Sequence, residues 1–394
     1  MALMTPDKII GDLVQYLLST FNFKNANFQH RLNIIKASKK FYSLNYKFHS
    51  LETMPSEEDE VLLAISEQIP KFRMYLDSNS LTGILPVVQF LLCQEETVVR
   101  EQTIEGMREI MKLFSEDQIQ KDVMNLINFI SSQEYFTGKV SAGHLIRMCY
   151  EKAGKEREKL KNLYFKLCDD ETPLIKRTAA KEFGPLCLVM EKEVVNPEMI
   201  TYFKKFMADS DSVKTIALSA LIQLVKLFQN TEHQRLNIQV VVAASEDKSW
   251  RVRHELSRIF PQLVDGFGNQ INDLVPTLSN LIKDSEMEVR HAALEGLSQI
   301  IKFFSSEKVN MCIIPAILSL SNESSPAVKA CIGECLGSIA KCVGYSSFNN
   351  KMGTLMEALM KDENSDVRLG YKIFLNLVLR NLSLIYLFPL REIL

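Results

Sequence analysis

Asp247-Lys248-Ser249-Trp250-Arg251-Val252-Arg253 is a polar turn that runs directly into His254, Glu255, Leu256, Ile259, Phe260 and Leu263. The apolar positions of that continuation recur at three- and four-residue steps, which predicts a helix with one buried face. The same frame returns along the chain. Asp170 lies five residues before Ile175-Lys176, Asp284 five before Val289-Arg290, Glu323 five before Val328-Lys329, and Asp362 five before Val367-Arg368. An acid closes one apolar helix, a short turn follows, and an aliphatic residue with a cation opens the next.

Aligning that cation gives Arg100, Lys139, Lys176, Lys214, Arg253, Arg290, Lys329 and Arg368, with successive spacings of 39, 37, 38, 39, 37, 39 and 39. Counting back from Arg100 reaches Leu62, in Asp59-Glu60-Val61-Leu62, where the cation is replaced, so nine units share the register. Each carries two apolar helical segments, as in Ile271, Leu274, Val275, Leu278, Leu281 and Ile282 followed by Val289, Ala293, Leu297, Ile300, Ile301 and Phe304. No alternation of period two competes. Glycine inside a helix costs about 1 kcal/mol, so Gly296, Gly333 and Gly337 among alanines predict helices that approach closely. Pro86, Pro173, Pro197, Pro276 and Pro326 fall near expected first turns, where a missing N–H costs little. The paired cations are placed to reach the acid of an adjacent unit. Two-helix units of this period predict an all-α fold, an α-solenoid of HEAT repeats stacked into a curved superhelix. About nine or ten stacked units correspond to a rod on the order of 100 Å long.

The register covers residues 56–379, flanked by a divergent capping repeat at 1–55 and an apolar tail at 380–394. In the first segment Lys36, Lys39 and Lys40 stand among Phe41, Tyr42 and Tyr46; an imperfect terminal repeat explains the cluster more simply than a nucleic-acid patch. Charge is balanced, 46 Lys plus Arg against 48 Asp plus Glu, which announces no polyanion-binding surface. Eight cysteines lie mostly inside apolar helical runs without a C-x-x-C pair, as expected of reduced thiols in a cytoplasmic or nuclear protein. The N-terminus has Asp7 and Lys8 in place of an apolar signal core, and the apolar run 371–390 is broken by Lys372, Asn376, Arg380 and Asn381, so a membrane is not expected.

Catalytic patterns are not found. His30, His49, His144, His233, His254 and His291 form neither H-E-x-x-H nor paired Cys/His spacing, so no metal or cofactor is expected. Gly266-Phe267-Gly268 follows a helix and lacks a third glycine, which makes it an inter-repeat turn rather than a phosphate loop. Glu57-Glu58-Asp59-Glu60 reads as a solvated helix start. The chain is not expected to be an enzyme.

A narrower likeness rests on the turns taken in order. Asp59 to Ala64, Glu95-Glu96-Thr97-Val98-Val99-Arg100, Phe136-Thr137 with Ser141-Ala142, Asp170-Glu171-Thr172-Pro173 with Lys176-Arg177 and Ala179-Ala180, Asp211-Ser212-Val213, and Lys248 to Arg253 resemble the scaffold (A, 65-kDa regulatory) subunits of protein phosphatase 2A in order and spacing. The resemblance runs from about Glu57 to Leu379, with Glu171 where the family has Asp and Lys176 where it has Arg. It implies a horseshoe whose intra-repeat turns hold a regulatory B-type subunit, with the catalytic subunit on the last repeats of the family's longer array. By that resemblance Asp59, Glu95, Glu96, Phe136, Glu171, Pro173, Lys176, Arg177, Asp211, Trp250 and Arg251 carry partner contacts.

Trp250 points the same way without the family, because a lone tryptophan off the core period beside an arginine is a residue pair favoured at interfaces; packing beneath its own turn is the alternative. Of Lys176 and Arg177, one is expected in the ladder between repeats, leaving the other for a partner's acid. A HEAT transport carrier or adaptor of the importin type is the alternative function, although it would want a strongly acidic inner surface. A HEAT protein that binds only regulatory subunits is a third. The register ends near Leu379, and Leu382, Leu384, Ile385, Leu387, Phe388 and Leu390 follow with few charges, so weak catalytic-subunit binding and self-association beyond Tyr371 are expected.

Overall fold

The computed structural model describes residues 59–67, 69–70, 81–191, 195–229 and 233–372. The expected capping segment 1–55 and the tail 380–394 lie outside the described residues. Among the described residues there is no strand, and helices alternate throughout as the period of the sequence requires. The fold is an α-solenoid of HEAT repeats.

The second helices of the repeats are Thr97–Met111, Phe136–Cys149, Pro173–Val189, Asp211–Leu218, Trp250–Phe267, Met287–Glu295, Pro326–Val343 and a helix over 365–372. Every one begins three residues before its aligned cation, and Asp59–Ser66 begins three before Leu62. The reason lies in the intervening aliphatic residue. Val99, Ile175, Val213, Val252, Val289, Val328 and Val367 are each at most 1% exposed, and burying such a side chain contributes about 1.5–3 kcal/mol. Fixing that residue inward in the first turn sets where the helix must start. Gly138 takes this place in one repeat, and a Cβ there would collide with the Ile130 carbonyl of its own hairpin.

The first helices are less regular than the sequence pattern implies. Those ending at Ser131, Met207 and Ser319 open through wide five-residue turns, Ile119–Val123, Val195–Met199 and Val309–Ile313, and another opens through a tight one, Gly268–Leu274. Pro86, Pro276 and Pro315 sit in the first turn of the straight segments that follow, where no hydrogen bond is lost. Gly268, at φ +53°, ends Trp250–Phe267, so the Gly266-Phe267-Gly268 motif is the inter-repeat turn expected. Pro185 and Pro261 stand inside helices, against the simple rule that prolines mark helix starts.

Contacts group the chain into two compact bodies, Met1–Glu182 and Phe183–Leu394. The first is filled by Leu91, Val99, Ile110, Phe114, Ile127, Leu145 and Tyr164, and the Tyr164 hydroxyl donates to the Ala179 carbonyl at 2.7 Å. In the second, Phe183 stacks on Phe203 at 5.6 Å and meets Phe206 edge-on at 5.7 Å. The glycines of the second helices are there for close approach: a Cβ on Gly296 would overlap the Pro261 ring, and one on Gly333 would meet the Gly370 carbonyl carbon at 2.9 Å.

Candidate partner-binding ridge

Five of the intra-repeat turns are held by an acid that bonds in two directions. One carboxylate oxygen accepts the N–H two residues on: Asp170 from Thr172, Asp247 from Ser249, Asp362 from Asn364 and Glu323 from Ser325, all at 2.9 Å, and Asp284 from Glu286 at 3.0 Å. The same carboxylate accepts from the cation of the preceding repeat. The rungs are Lys139 to Asp170 at 2.9 Å, Lys214 to Asp247 and Lys329 to Asp362 at 2.8 Å, Arg253 to Asp284 at 2.6 Å, and Arg290 to Glu323 at 2.8 Å. The arginines also hold their own turns, as where Arg253 donates to the Asp247 carbonyl at 2.8 Å and Arg290 to the Asp284 carbonyl at 2.8 Å.

Partial burial works against ionisation of these acids, but the backbone N–H and cation bonds outweigh it and hold Asp170, Asp247, Asp284 and Glu323 below the ordinary carboxylate range. For Asp362 the bond from Lys329 is the leading cause of the same depression. Elsewhere between second helices, buried Glu182 accepts from Arg147 at 2.5 Å and meets the His144 ring at 2.7 Å.

One rung differs. The position matching Asp170 is Gln133, whose amide donates to its own helix at Phe129, and among the described residues no carboxylate bonds the Arg100 guanidinium. Arg100, 4% exposed, instead donates to the Gln94 and Glu95 carbonyls at 2.6 Å. Hydroxyls take over the link between those two repeats, Thr137 to the Cys93 carbonyl at 2.9 Å and Ser141 to the Leu92 carbonyl at 2.7 Å.

With the ladder turned inward, the first residue of each second helix faces out. Asp59, Phe136, Pro173 and Asp211 hold that place and are exposed, as are Met287 and Pro326. Trp250 holds it too, half-buried, with the Arg251 guanidinium 4.9 Å from its ring and His254 edge-on at 6.2 Å. Glu95, Glu171, Arg177 and Arg251 are exposed around these positions, and Glu96 caps its helix by accepting the Val98 N–H. Lys176 is at the ladder position and half-buried, whereas the next residue, Arg177, is exposed. Along the turns the sequence-predicted residues therefore share one structural place within each repeat.

Several outward residues escape a motif reading. Tyr135 is 75% exposed beside Phe136 at 40%, and Val98, Leu174 and Met287 are also exposed. For Val98, Leu174 and Met287 the signal that could find them is position: an apolar residue one or two places before the buried aliphatic cannot share its face. Among the described residues no cluster of three or more His, Cys, Asp or Glu could hold a metal ion. Cysteine burial pushes Cys93 up to about 11 and Cys149 up to about 12, which suits inert thiols. No helix of the described residues is long and apolar enough to cross a membrane.

Residues 274–304 match the HEAT repeat family. Over 363 residues the chain is 31% identical to the beta isoform of the human 65 kDa regulatory A-subunit of serine/threonine-protein phosphatase 2A, covering 88% of this chain and 60% of that protein. The chain is a homologue of the regulatory A-subunits of protein phosphatase 2A. A further relative, the PP2A regulatory A-subunit of Saccharomyces cerevisiae, is 30% identical over 240 residues, 57% of this chain and 38% of its own length. This scaffold-subunit homologue thus spans less than two thirds of the length of either relative. The karyopherin Kap121p superposes with a TM-score of 0.62 over 95% of this chain and 40% of its own, at 12% identity, a likeness that shows the fold alone.

Proposed function

We propose that this scaffold-subunit homologue is a non-catalytic scaffold of a phosphatase 2A-type complex, holding a regulatory B-type subunit on its intra-repeat turns. One observation carries the reading: residues that resemble the family's partner contacts occupy the outward first-turn positions of second helices, and the turns that carry Pro173 and Trp250 are braced by the acid–cation ladder. Such a surface is preorganised. Its backbone is already held at the helix starts, so binding need not order the turns that carry these side chains.

The contacts are divided by chemistry. Phe136 and Trp250 supply apolar anchors, Glu95, Glu171 and Asp211 supply acids, and Arg177 and Arg251 supply cations for a partner's carboxylates. A cytoplasmic or nuclear setting suits the eight cysteines, which are free thiols. Mixing the purified chain with recombinant B-type and catalytic phosphatase subunits, followed by size-exclusion chromatography with light scattering, tests the proposal. A one-to-one complex with the regulatory subunit is expected. Separate elution of every B-type subunit tried, at tens of micromolar, would overturn it.

A further inference from the structure

A second surface lies on the opposite edge of the second body, at the loops between repeats. Phe303 is 44% exposed at the end of one second helix, and Met311 is 67% exposed on the Val309–Ile313 turn that opens the next repeat. Neighbouring loop ends carry Asn269, Gln270, Asn349 and Asn350, so the two apolar side chains stand in polar surroundings.

The charges around them are mostly positive, with Glu307 and Asp273, next to the Asn272 that accepts the Ser305 N–H, as the acids. Lys302 places its ammonium 5.0 Å from the centre of the Phe303 ring. Lys351 donates to Asn310 at 2.8 Å, which brings its amine to the residue beside Met311. Cys342 reaches the Phe304 carbonyl, so Lys341 on the adjoining position belongs to the same edge. Lys308 completes the set, and Glu307 is the one acid in that loop. None of Lys302, Lys308 and Lys341 has a carboxylate within ion-pair distance among the described residues.

We infer that the edge formed by Lys302, Phe303, Lys308, Met311, Lys341 and Lys351 is a docking site for an acidic peptide segment that carries an aromatic or aliphatic side chain. Charge complementarity selects the partner. Four ammoniums against the two carboxylates of Glu307 and Asp273 attract a chain of acids, and two separate apolar side chains give it places to seat its own. A peptide fits better than a lipid surface, because the amines of Lys302 and Lys351 are held on Phe303 and Asn310 instead of being free to follow mobile headgroups. This edge is not the turn ridge, and the inference does not depend on the scaffold proposal.

The test uses the full chain and a fluorescein-labelled peptide of six glutamates interrupted by one phenylalanine and one leucine, read by anisotropy. Micromolar binding is expected, falling steeply between 50 and 300 mM salt. Lys302→Glu with Lys308→Glu should weaken it at least 10-fold, and Phe303→Ser with Met311→Ser by a similar factor, with the helical circular dichroism unchanged. A peptide with glutamine in place of glutamate should not bind. The inference is overturned if the acidic peptide does not bind, if both double variants bind it as the parent does, or if the chain binds phosphatidylserine vesicles and not the peptide.

Discussion

Asp284→Asn removes one rung while leaving the turn's own geometry in place. The new amide oxygen can still accept the Glu286 N–H, now at 3.0 Å, but the charge that Arg253 meets at 2.6 and 2.9 Å is gone. Both side chains are well sheltered, 14% exposed for Arg253 and 8% for Asp284. A hydrogen bond to a charged group contributes about 1.5–3 kcal/mol. Arg253 keeps its bonds to the Asp247 and Lys248 carbonyls at 2.8 and 3.3 Å, so the guanidinium is not orphaned and the loss should be about 2 kcal/mol. In a stack stabilised by nearest neighbours this loss falls on the two repeats that share the rung. A single global unfolding curve is a poor readout for such an array. Amide hydrogen exchange followed by mass spectrometry resolves it: peptides covering 247–253 and 284–290 should exchange roughly 30-fold faster, that energy converted at 1.4 kcal/mol per decade. Peptides from Pro326–Val343 should change little. Unaltered exchange at both turns, or a uniform rise throughout the second body, would refute the nearest-neighbour rung.

The remaining expectations follow from the same geometry. The ladder acids have folded pKa values below their unfolded ones, so their contribution is complete above the ordinary carboxylate range near 4 and is lost as pH falls through the depressed values. The urea midpoint should therefore be flat from pH 7 to about 5 and drop below about pH 4, and a midpoint independent of pH down to 2 would contradict this. Gln133→Asp supplies the missing acid for Arg100 and should slow exchange in the 94–100 turn by about 1 kcal/mol, or roughly fivefold; faster exchange would mean that the hydroxyl links cannot accommodate a rung. Gly296→Ala raises helix propensity but puts a methyl into the Pro261 ring, so the second body should lose about 1–3 kcal/mol in urea unfolding, and a gain would show that the contact is soft.

The frame was legible because one residue in each repeat has no choice. Where an aliphatic precedes the cation it is buried, at Asp170, Asp247, Asp284, Glu323 and Asp362 the acid five places earlier caps the turn, and together they fix the helix start and the rung. The five rungs between Lys139 and Asp170 and from Lys214 to Asp362 follow the sequence pairing directly. The Arg100 position follows the spacing but not the chemistry, since an aligned cation does not reveal that its acid is a glutamine with a helix carbonyl to bond. The wide turns at Ile119–Val123 and Val309–Ile313 escape a periodicity argument because one extra residue per turn barely disturbs a pattern of threes and fours. Pro261 is explained only by its partner, a glycine one repeat later. At the ridge, Phe136 and Trp250 stand where the turn motifs put them, whereas Tyr135 draws no notice in the sequence because an N-cap tyrosine has no pattern to belong to.

The central claim is that a regulatory partner seats on the outward first-turn residues. Isothermal titration of a purified B-type regulatory subunit into the parent chain, Phe136→Ala and Trp250→Ala tests it most directly, with circular dichroism confirming helicity in each. Trp250→Ala should weaken binding by at least ~2 kcal/mol, about 30-fold, as loss of an aromatic anchor does, and Phe136→Ala should weaken it as well. Unchanged affinity in both variants, against a parent that binds, would place the partner elsewhere and contradict the claim.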